Sequence, residues 1–181
     1  YTGKRPMTSA LTQHFNLPQS FTDLTISEVK GHKMWQLEGV TEIGAQITEL
    51  TGMPVPETGH FSQDGDQLLV WQGRDRYFWL TPIASLPEVK DVYITDQTAS
   101  KTQIRISGDQ ARTLLARGLP VDIDSGMFAI GEVRMTHINH ISVVLLRLPD
   151  EEGKPTFELW VMRGFAVSLM SFLTTVAASL A

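Results

Sequence analysis

The sequence predicts an α+β fold of two small, similar modules, each with helices packed on antiparallel or mixed sheet. Most of its strand-like segments come in pairs separated by short turns, which is typical of β-hairpins. Few segments have the apolar spacing of amphipathic helices. One pattern also occurs twice: a helix ends in Gly-x-Pro-Val, at Gly52–Val55 and at Gly118–Val121, and a short loop then reaches a Phe and a hairpin. This echo indicates two related halves.

The two modules are expected to follow a short N-terminal arm. Residues 1–20 contain few apolar residues and show no sustained period, and Pro18 precedes the first strand. The first module is placed at 21–90 and the second at 91–181, with a loop or short helix at 82–87 between them. Because a chain of 181 residues can bury a shared core, the modules should form one unit.

The first module is expected to contain strands, one helix and a hairpin. In chain order the segments are strands at 21–29 and 34–37, a helix, a turn at 64–66, and a hairpin of 68–72 with 76–81. The helix should end at Gly52, and Pro54 and Pro56 prevent its continuation. The residues on its buried face are Val40, Ile43, Ile47 and Leu50.

The second module begins with a strand, a helix and a helix stop that are well marked in the sequence. Ser107 is a natural N-cap, and Gln110 three residues later completes a capping box. Gly118 is expected to adopt a left-handed conformation that ends the helix, and Pro120 prevents its continuation. The predicted segments of the module are strands at 92–94 and 102–106, a helix with Ala111, Leu114 and Leu115 buried, a hairpin of 133–138 with 141–148, a strand at 157–162 and a final helix.

The segment from Phe165 to the C-terminus has no charged side chain, which raises the question of a membrane anchor. Its larger apolar residues fall on one helical face: Phe165, Leu169, Phe172, Leu173, Val176 and Leu180. Small polar residues fall on the other: Ser168, Ser171, Thr175 and Ser179. A membrane-spanning helix would be apolar all round and about 20 residues long. We therefore predict an amphipathic helix docked on the domain, and no membrane partner.

Composition excludes several classes of protein. The net charge is −5 and the isoelectric point is near 5.5, which argues against nucleic acid or an anionic membrane surface as a partner. The chain has no cysteine, so it cannot form a disulfide, a thiolate nucleophile or a cysteine-based zinc site. The first residues also lack the apolar core of a signal peptide. These features suit the cytoplasm, which is the expected location.

The best metal candidate is the pair His137 and His140. A two-residue turn at Ile138 and Asn139 would place both imidazoles opposite each other on neighbouring strands. Zinc needs at least one further ligand, and none has a motif spacing to this pair, so a surface hairpin is the preferred interpretation. The remaining histidines are isolated in sequence: His14, His32 and His60.

Two pairs of aspartates are weaker candidates. Asp64 and Asp66 resemble the start of a calcium loop, but the later oxygen ligands do not follow in register. Asp122 and Asp124 would share a face, as an acid–base pair does, although a solvated strand edge is the preferred interpretation. Motifs for dinucleotides, for phosphate loops and for a nucleophile elbow are absent. The tryptophans are expected in the core or at interfaces: Trp35, Trp71, Trp79 and Trp160. We predict no catalytic residue, no cofactor-binding residue and no metal ligand.

Several stretches, taken in order, resemble the gamma subunit of heterotetrameric sarcosine oxidases. The family pattern Ser-Gly-x-x-Ala-Arg-x-x-Leu-x-x-Gly is present from Ser107 to Gly118, and Pro-Leu-Asp-Leu is similar to Pro120–Ile123. The closing pattern Phe-x-Leu-x-Val-x-Arg-x-Phe-x-x-Ser-Leu matches from Phe157 to Leu169. The stretch DGDQLLVWQGRDRYFWLT resembles the upstream hairpin of the family. The resemblance covers most of residues 60–175, and its order along the chain is more specific than any single piece.

The resemblance implies a role in a complex of alpha, beta, gamma and delta subunits that demethylates sarcosine to glycine. Such complexes carry FAD, FMN and NAD, pass the one-carbon unit to tetrahydrofolate, and reduce oxygen to hydrogen peroxide. By resemblance, this chain is the non-catalytic gamma subunit and binds none of these cofactors. Its main contact is the large alpha subunit, and its fold is similar to part of the folate-binding aminomethyltransferase fold. The apolar strands, the tryptophans and the C-terminal helix then become candidate interface elements.

Three departures from the family pattern keep alternatives open. Leu119 stands where the family often has Cys, Asp124 where it tends to have His, and Ser100-Lys101 where it has Gly-Arg. One alternative is the delta-type small subunit of N-methylglutamate dehydrogenase, or of a related complex that oxidises N-methyl amino acids. A second is a stand-alone folate-binding, aminomethyltransferase-like protein, with Asp96 or Asp122 as the carboxylate at the folate. A third is a self-associating scaffold.

Overall fold

Residues 8–180 are described by a computed structural model, and they form two antiparallel sheets with three α-helices. The strands of the first sheet, in spatial order, are β1 (Gln19–Phe21), β2 (Leu24–Val29), β8 (Lys101–Ser107), β11 (Lys154–Met162), β10 (Ile141–Glu151) and β9 (Val133–Ile138). Those of the second sheet are β4 (Phe61–Asp64), β5 (Gln67–Gly73), β6 (Arg76–Thr81), β3 (Lys33–Glu38) and β7 (Tyr93–Asp96). The helices are α1 (Gly44–Thr51), α2 (Ala111–Ala116) and α3 (Ala166–Ala178), and a short 3₁₀ turn, Arg163–Phe165, precedes α3.

The two sheets pack face to face, with helices on the outer side of each. Between the sheets lies an apolar cluster to which both contribute, including Phe78 from β6 and Trp160 from β11, whose ring centroids are 6.1 Å apart. On the outer side of the first sheet, α2 and α3 cover the largest apolar cluster. On the outer side of the second sheet, α1 and the segment that precedes β7 cover a third cluster. The α+β class predicted from the hairpin and helix patterns is confirmed.

The burial pattern of each strand in the first sheet shows whether one or both of its faces are covered. In β8 every second side chain is buried under the helices, at Thr102, Ile104 and Ile106. In β10 and β11 six consecutive residues are buried, at 143–148 and 156–161, because these central strands face the helices on one side and the second sheet on the other. The hairpins predicted at 68–81 and 133–148 are present as β5–β6 and β9–β10.

The sheets take strands from both predicted modules. β1 pairs with β2, and β2 pairs with β8, which follows it by more than seventy residues in the chain. β7, at 93–96, pairs with β3 in the second sheet. The sheets therefore exchange strands across the module boundary predicted between residues 90 and 91.

The predicted capping box at α2 is wrong. Ser107 is the last residue of β8, where it pairs with Thr25 on one side and with Thr156 on the other. The sheet thus uses Ser107 as extended backbone, and α2 begins only at Ala111, with Gln110 at the N-cap position and no side-chain cap. Gly108, with a φ of +131°, turns the chain out of the strand.

The predicted left-handed stop at Gly118 is also wrong. The residues at the end of α2 remain right-handed, and Gly118 does not have a positive φ. Gly118 provides space instead, since a Cβ atom there would come within 2.8 Å of the side chains of Ile138 and Phe172. The corresponding prediction at Gly52 is confirmed, because Gly52 ends α1 with a φ of +71°. Val40, expected on the buried face of α1, precedes that helix and is 82% exposed.

The final helix docks on the domain as predicted, but Phe165, expected on its buried face, lies in the 3₁₀ turn before it and is 52% exposed. In α3, Ala166, Leu169, Met170, Leu173 and Ala177 are buried in the cluster under the helices. The polar residues of the opposite face lie at the surface: Ser168, Ser171, Thr175 and Ser179. Among residues 8–180, no helix is both long enough and apolar enough to cross a membrane.

Candidate functional site

The histidine pair that the sequence offered as a metal site does not form. The turn of the β9–β10 hairpin consists of Asn139 and His140, both with positive φ (45° and 68°), and Ile138 pairs with Ile141. The predicted turn at Ile138 and Asn139 is wrong because Ile138 is fully buried and so belongs to the strand. His137 lies opposite Ser142. Within residues 8–180, no group of three or more metal-ligating side chains is found.

The aspartate candidates have local structural contacts. Asp64 ends β4, and Asp66 lies in the following turn with its carboxylate 3.2 Å from Nε2 of His32. Asp122 accepts the backbone N–H of Asp124 at 2.9 Å, at the exposed surface. Neither pair therefore brings two carboxylates together in a cleft.

Asp96, named as a carboxylate for a folate, is held by neighbours in the second sheet and its following turn. Its side chain accepts hydrogen bonds from Lys33 Nζ at 2.8 Å and from the backbone N–H of Thr98 at 2.9 Å. Burial opposes ionisation, but these hydrogen bonds outweigh it and lower the pKa of Asp96 from 3.8 to about 2. Asp96 is thus a carboxylate that stays ionised and links β3 to the turn after β7.

A buried carboxylate that the sequence analysis did not single out lies between the two sheets. Glu158 in β11 is fully buried, and it accepts hydrogen bonds from Trp160 Nε1 at 2.7 Å and from Arg105 Nη2 at 2.9 Å. Because both of its oxygens have donors, the buried carboxyl group of Glu158 is fully hydrogen-bonded inside the sandwich. The signal in the sequence is an acidic residue in the middle of an otherwise apolar strand.

A second buried charge, Arg147 in β10, is on the helix side of the first sheet and 4% exposed. Its guanidinium donates to the carbonyl oxygen of Leu148 and to Asp150, both at 2.6 Å. It also lies 5.1 Å from the centroid of the Phe157 ring, and Arg112 lies 5.3 Å from the same ring. The hydrogen bonds of Arg147 therefore stay within β10 and the neighbouring β11, where it also donates to the carbonyl oxygen of Thr156 at 3.2 Å, and its Nε has no partner within residues 8–180.

Exposed apolar side chains occur in β9, which is the outermost strand of the first sheet, and in the loop that precedes it. Among the residues that the structure describes, eight large hydrophobic side chains are exposed, and three of them fall between residues 127 and 135. These three are Met127 at 57%, Ile130 at 54% and Met135 at 51%.

The beginning of the outer edge of β9 is covered, because the Val133 N–H donates to the carbonyl of Gly59 at 2.8 Å and His60 forms a bridge with Glu132. From Met135 onward, no strand within residues 8–180 pairs with this edge. A free strand edge beside exposed apolar residues is a common place for contact with another chain. We call Met127, Ile130, Met135 and the free edge of β9 the edge surface.

The other elements that the resemblance offered for an interface are only partly at the surface. Trp79 and Trp160 are each 1% exposed and belong to the core. Trp35 and Trp71 are half-buried against the cluster under α1. The outer face of α3 carries small uncharged residues, preceded by Met162 and Phe165, which are 56% and 52% exposed. Depletion of charge is typical of interface cores, so this face is a second candidate.

Comparison with known proteins supports the fold. No protein-family model matches the sequence, and no curated protein matches it either. The structure is similar to a chain of the heterotetrameric sarcosine oxidase from Corynebacterium sp. U-96, which was solved in complex with pyrrole 2-carboxylate. The TM-score is 0.74 at 17% sequence identity, over 86% of this chain and 84% of that chain. The two chains therefore share one fold over nearly their whole, similar lengths.

Proposed function

We propose that this chain is the gamma-type, non-catalytic subunit of a heterotetrameric complex that oxidises sarcosine. The observation that carries the proposal is the structural match, which spans 86% of this chain and 84% of a chain of similar length from such a complex. The family patterns between Ser107 and Leu169 favour the gamma subunit over the other three. In this role the chain binds a large alpha subunit and contributes no residue to catalysis.

The edge surface is the part of the chain that fits this role. Partner chains bind strand edges because the free N–H and C=O groups of an outer strand accept a further strand or a tightly packed loop. Met127, Ile130 and Met135 would then be removed from water. Full burial of such a side chain contributes about 1.5–3 kcal/mol, and because each is already about half buried, the gain is roughly 0.8–1.5 kcal/mol per side chain. We place the contact with the alpha subunit here. The FAD, FMN, NAD and tetrahydrofolate of the complex are held by other subunits in this proposal.

Capture of partners from the native cell tests the proposal. The tagged wild-type chain should co-purify with a large flavoprotein and two further subunits, and the eluate should show flavin absorption. Oxidation of sarcosine by that eluate, with hydrogen peroxide as product, identifies the oxidase. Preference for N-methylglutamate, with no peroxide formed, assigns the chain to the alternative dehydrogenase complex. A colourless eluate that contains this chain alone contradicts the subunit role.

A matched pair of variants locates the contact. Met135→Glu places a charge on the edge surface, and we expect it to reduce capture of the large subunit at least tenfold. Val40→Glu is the control, because Val40 is an equally apolar side chain that is 82% exposed and lies in a loop of the second sheet. Both variants should keep the melting temperature of the wild type. Equal capture of the large subunit by both variants would show that the interface does not include the edge surface.

A further inference from the structure

We propose that a pocket beside the crossover between the two sheets binds a carboxylate anion. The pocket opens where β2 leaves the first sheet. The last pair in the β2–β8 register is Val29 with Gln103, so Lys101 and Thr102 have β11 on one side but no β2 partner on the other. Gly31, with a φ of +95°, turns the chain towards β3 in the second sheet. The resulting cavity has a volume of about 370 Å³.

The lining of this crossover pocket is positively charged, although the whole chain carries a net charge of −5. Lys30, Lys101 and Arg163 line it, and the one carboxylate in the lining is Glu28. Glu28 already pairs with Lys30 at 3.2 Å and accepts the Ser9 hydroxyl at 2.6 Å. The pair of Glu28 and Lys30 is neutral, so the pocket has two excess positive charges.

Those two charges have no acidic partner within residues 8–180. Neither Lys101 nor Arg163 lies within 4.0 Å of a carboxylate there, and the first seven residues of the sequence contain no Asp or Glu. Within residues 8–180, the Arg163 guanidinium donates to the backbone carbonyl of Thr8 and to no carboxylate. The Lys101 ammonium lies 5.5 Å from the centroid of the Phe78 ring, and its burial lowers the pKa of Lys101. A half-buried ammonium without a counterion is stabilised by an anion that enters the pocket.

A carboxylate fits the pocket better than a bulkier group does, for two reasons. The cavity holds a small anion, and an arginine guanidinium beside an ammonium matches the two oxygens of a carboxylate. Gln103 also lines the pocket, and its buried Oε1 atom has no donor among the described residues. Polar groups of the pocket are therefore incompletely paired by the part of the chain that the structure describes. The carboxylate has two possible sources: a free small acid, or an acidic side chain of the partner subunit that the proposed function requires.

Succinate titration of the full chain tests the first source. At constant ionic strength, set with sodium chloride, succinate should raise the melting temperature of the wild type. Lys101→Gln and Arg163→Gln should each weaken succinate binding at least tenfold. Lys90→Gln is the matched control, since Lys90 is exposed and forms no ion pair within residues 8–180, and it should bind succinate as the wild type does. Succinate binding that is unchanged in both pocket variants rules out a free acid at this site.

Capture of the large subunit tests the second source and separates this inference from the proposed function. Loss of capture in Lys101→Gln and Arg163→Gln, without succinate binding by the wild type, assigns the carboxylate to the partner. Succinate binding that depends on Lys101, in a chain that captures no partner, supports the pocket and contradicts the subunit role. If neither succinate binding nor capture changes in the two variants, the pocket is not an anion site.

Discussion

Gly108→Ala should be among the most destabilising single substitutions in this chain, because two backbone segments meet at Gly108. A Cβ atom there would overlap the carbonyl oxygen of Asp23 and would come within 2.8 Å of the Leu24 Cα. Neither segment is free to move away. The Asp23 carbonyl accepts the N–H of Gln110 at 3.2 Å, and the Gly108 N–H donates to Pro155 at 3.1 Å. A shift of either segment would lose one of these hydrogen bonds.

The expected cost of Gly108→Ala combines backbone strain with overlap. The φ of +131° is sparsely populated by L-residues and costs about 1–3 kcal/mol, and an added methyl without space costs about 1–3 kcal/mol. The sum is about 2–6 kcal/mol, or a fall in melting temperature of about 4–24 °C for a chain of this length.

Gly153→Ala is the control that separates the two causes. Gly153 has a φ of +75° but no atom within 4 Å of its Cβ position, so only the strain of about 1–2 kcal/mol applies. Chemical denaturation of both variants measures the difference in their free energies of unfolding. If Gly108→Ala costs no more than Gly153→Ala, the close approach of Asp23 to Gly108 is not present in solution and the reasoning is wrong.

Three further substitutions test other parts of the structure. Gly118→Ala should lower the free energy of unfolding by about 1–3 kcal/mol, because its Cβ has no space. In chemical denaturation, the double variant Gly118→Ala with Phe172→Leu should recover part of that loss, because the smaller side chain makes space for the Cβ. If the loss came from a left-handed backbone at Gly118 instead, the second substitution would recover nothing. Asp96→Asn should cost less than about 1 kcal/mol at pH 7, since the carboxylate is 42% exposed. Because the pKa of Asp96 is lowered to about 2, the difference in free energy of unfolding between Asp96→Asn and the wild type should be complete above about pH 4 and should vanish as the pH falls to about 2. A difference that does not change with pH would refute the link to ionisation of Asp96. His140→Gly should raise the free energy of unfolding by about 0.5–1 kcal/mol, because glycine adopts the φ of +68° without strain, and a lower melting temperature would contradict this.

Local patterns predicted most of the elements because the hairpins and helices of this chain are coded over short distances. The hairpin of β5 and β6 shows this, since an alternating run, Arg74 with Asp75 at the turn, and a second run follow one another. The docking of α3 was predictable for the same reason, because its apolar and polar residues separate cleanly at helical spacing.

Two of the errors, at Ser107 and Gly118, occurred where a distant segment decides the conformation. Ser107 has the sequence context of an N-cap, but β2 and β11 pair with it from both sides and keep it extended. Gly118 has the context of a helix stop, yet its need for glycine comes from Phe172 in α3. The crossover pocket could not be predicted either, because it joins residues near positions 30, 101 and 163 that no local pattern connects.

The sequence identity to the matched sarcosine oxidase chain is only 17%, so the shared fold indicates little about which residues of this chain bind partners. A sandwich core requires apolar volume at alternating positions, and many sequences meet that requirement, so a shared fold leaves most residues free to change. Surface features are not needed for the fold in this way. Exposed methionines at β9 and in the loop before it, and cations at the sheet crossover that have no acidic partner within residues 8–180, cost stability or solubility unless something binds them. These two places therefore carry more information about partners than the buried residues that make the fold recognisable.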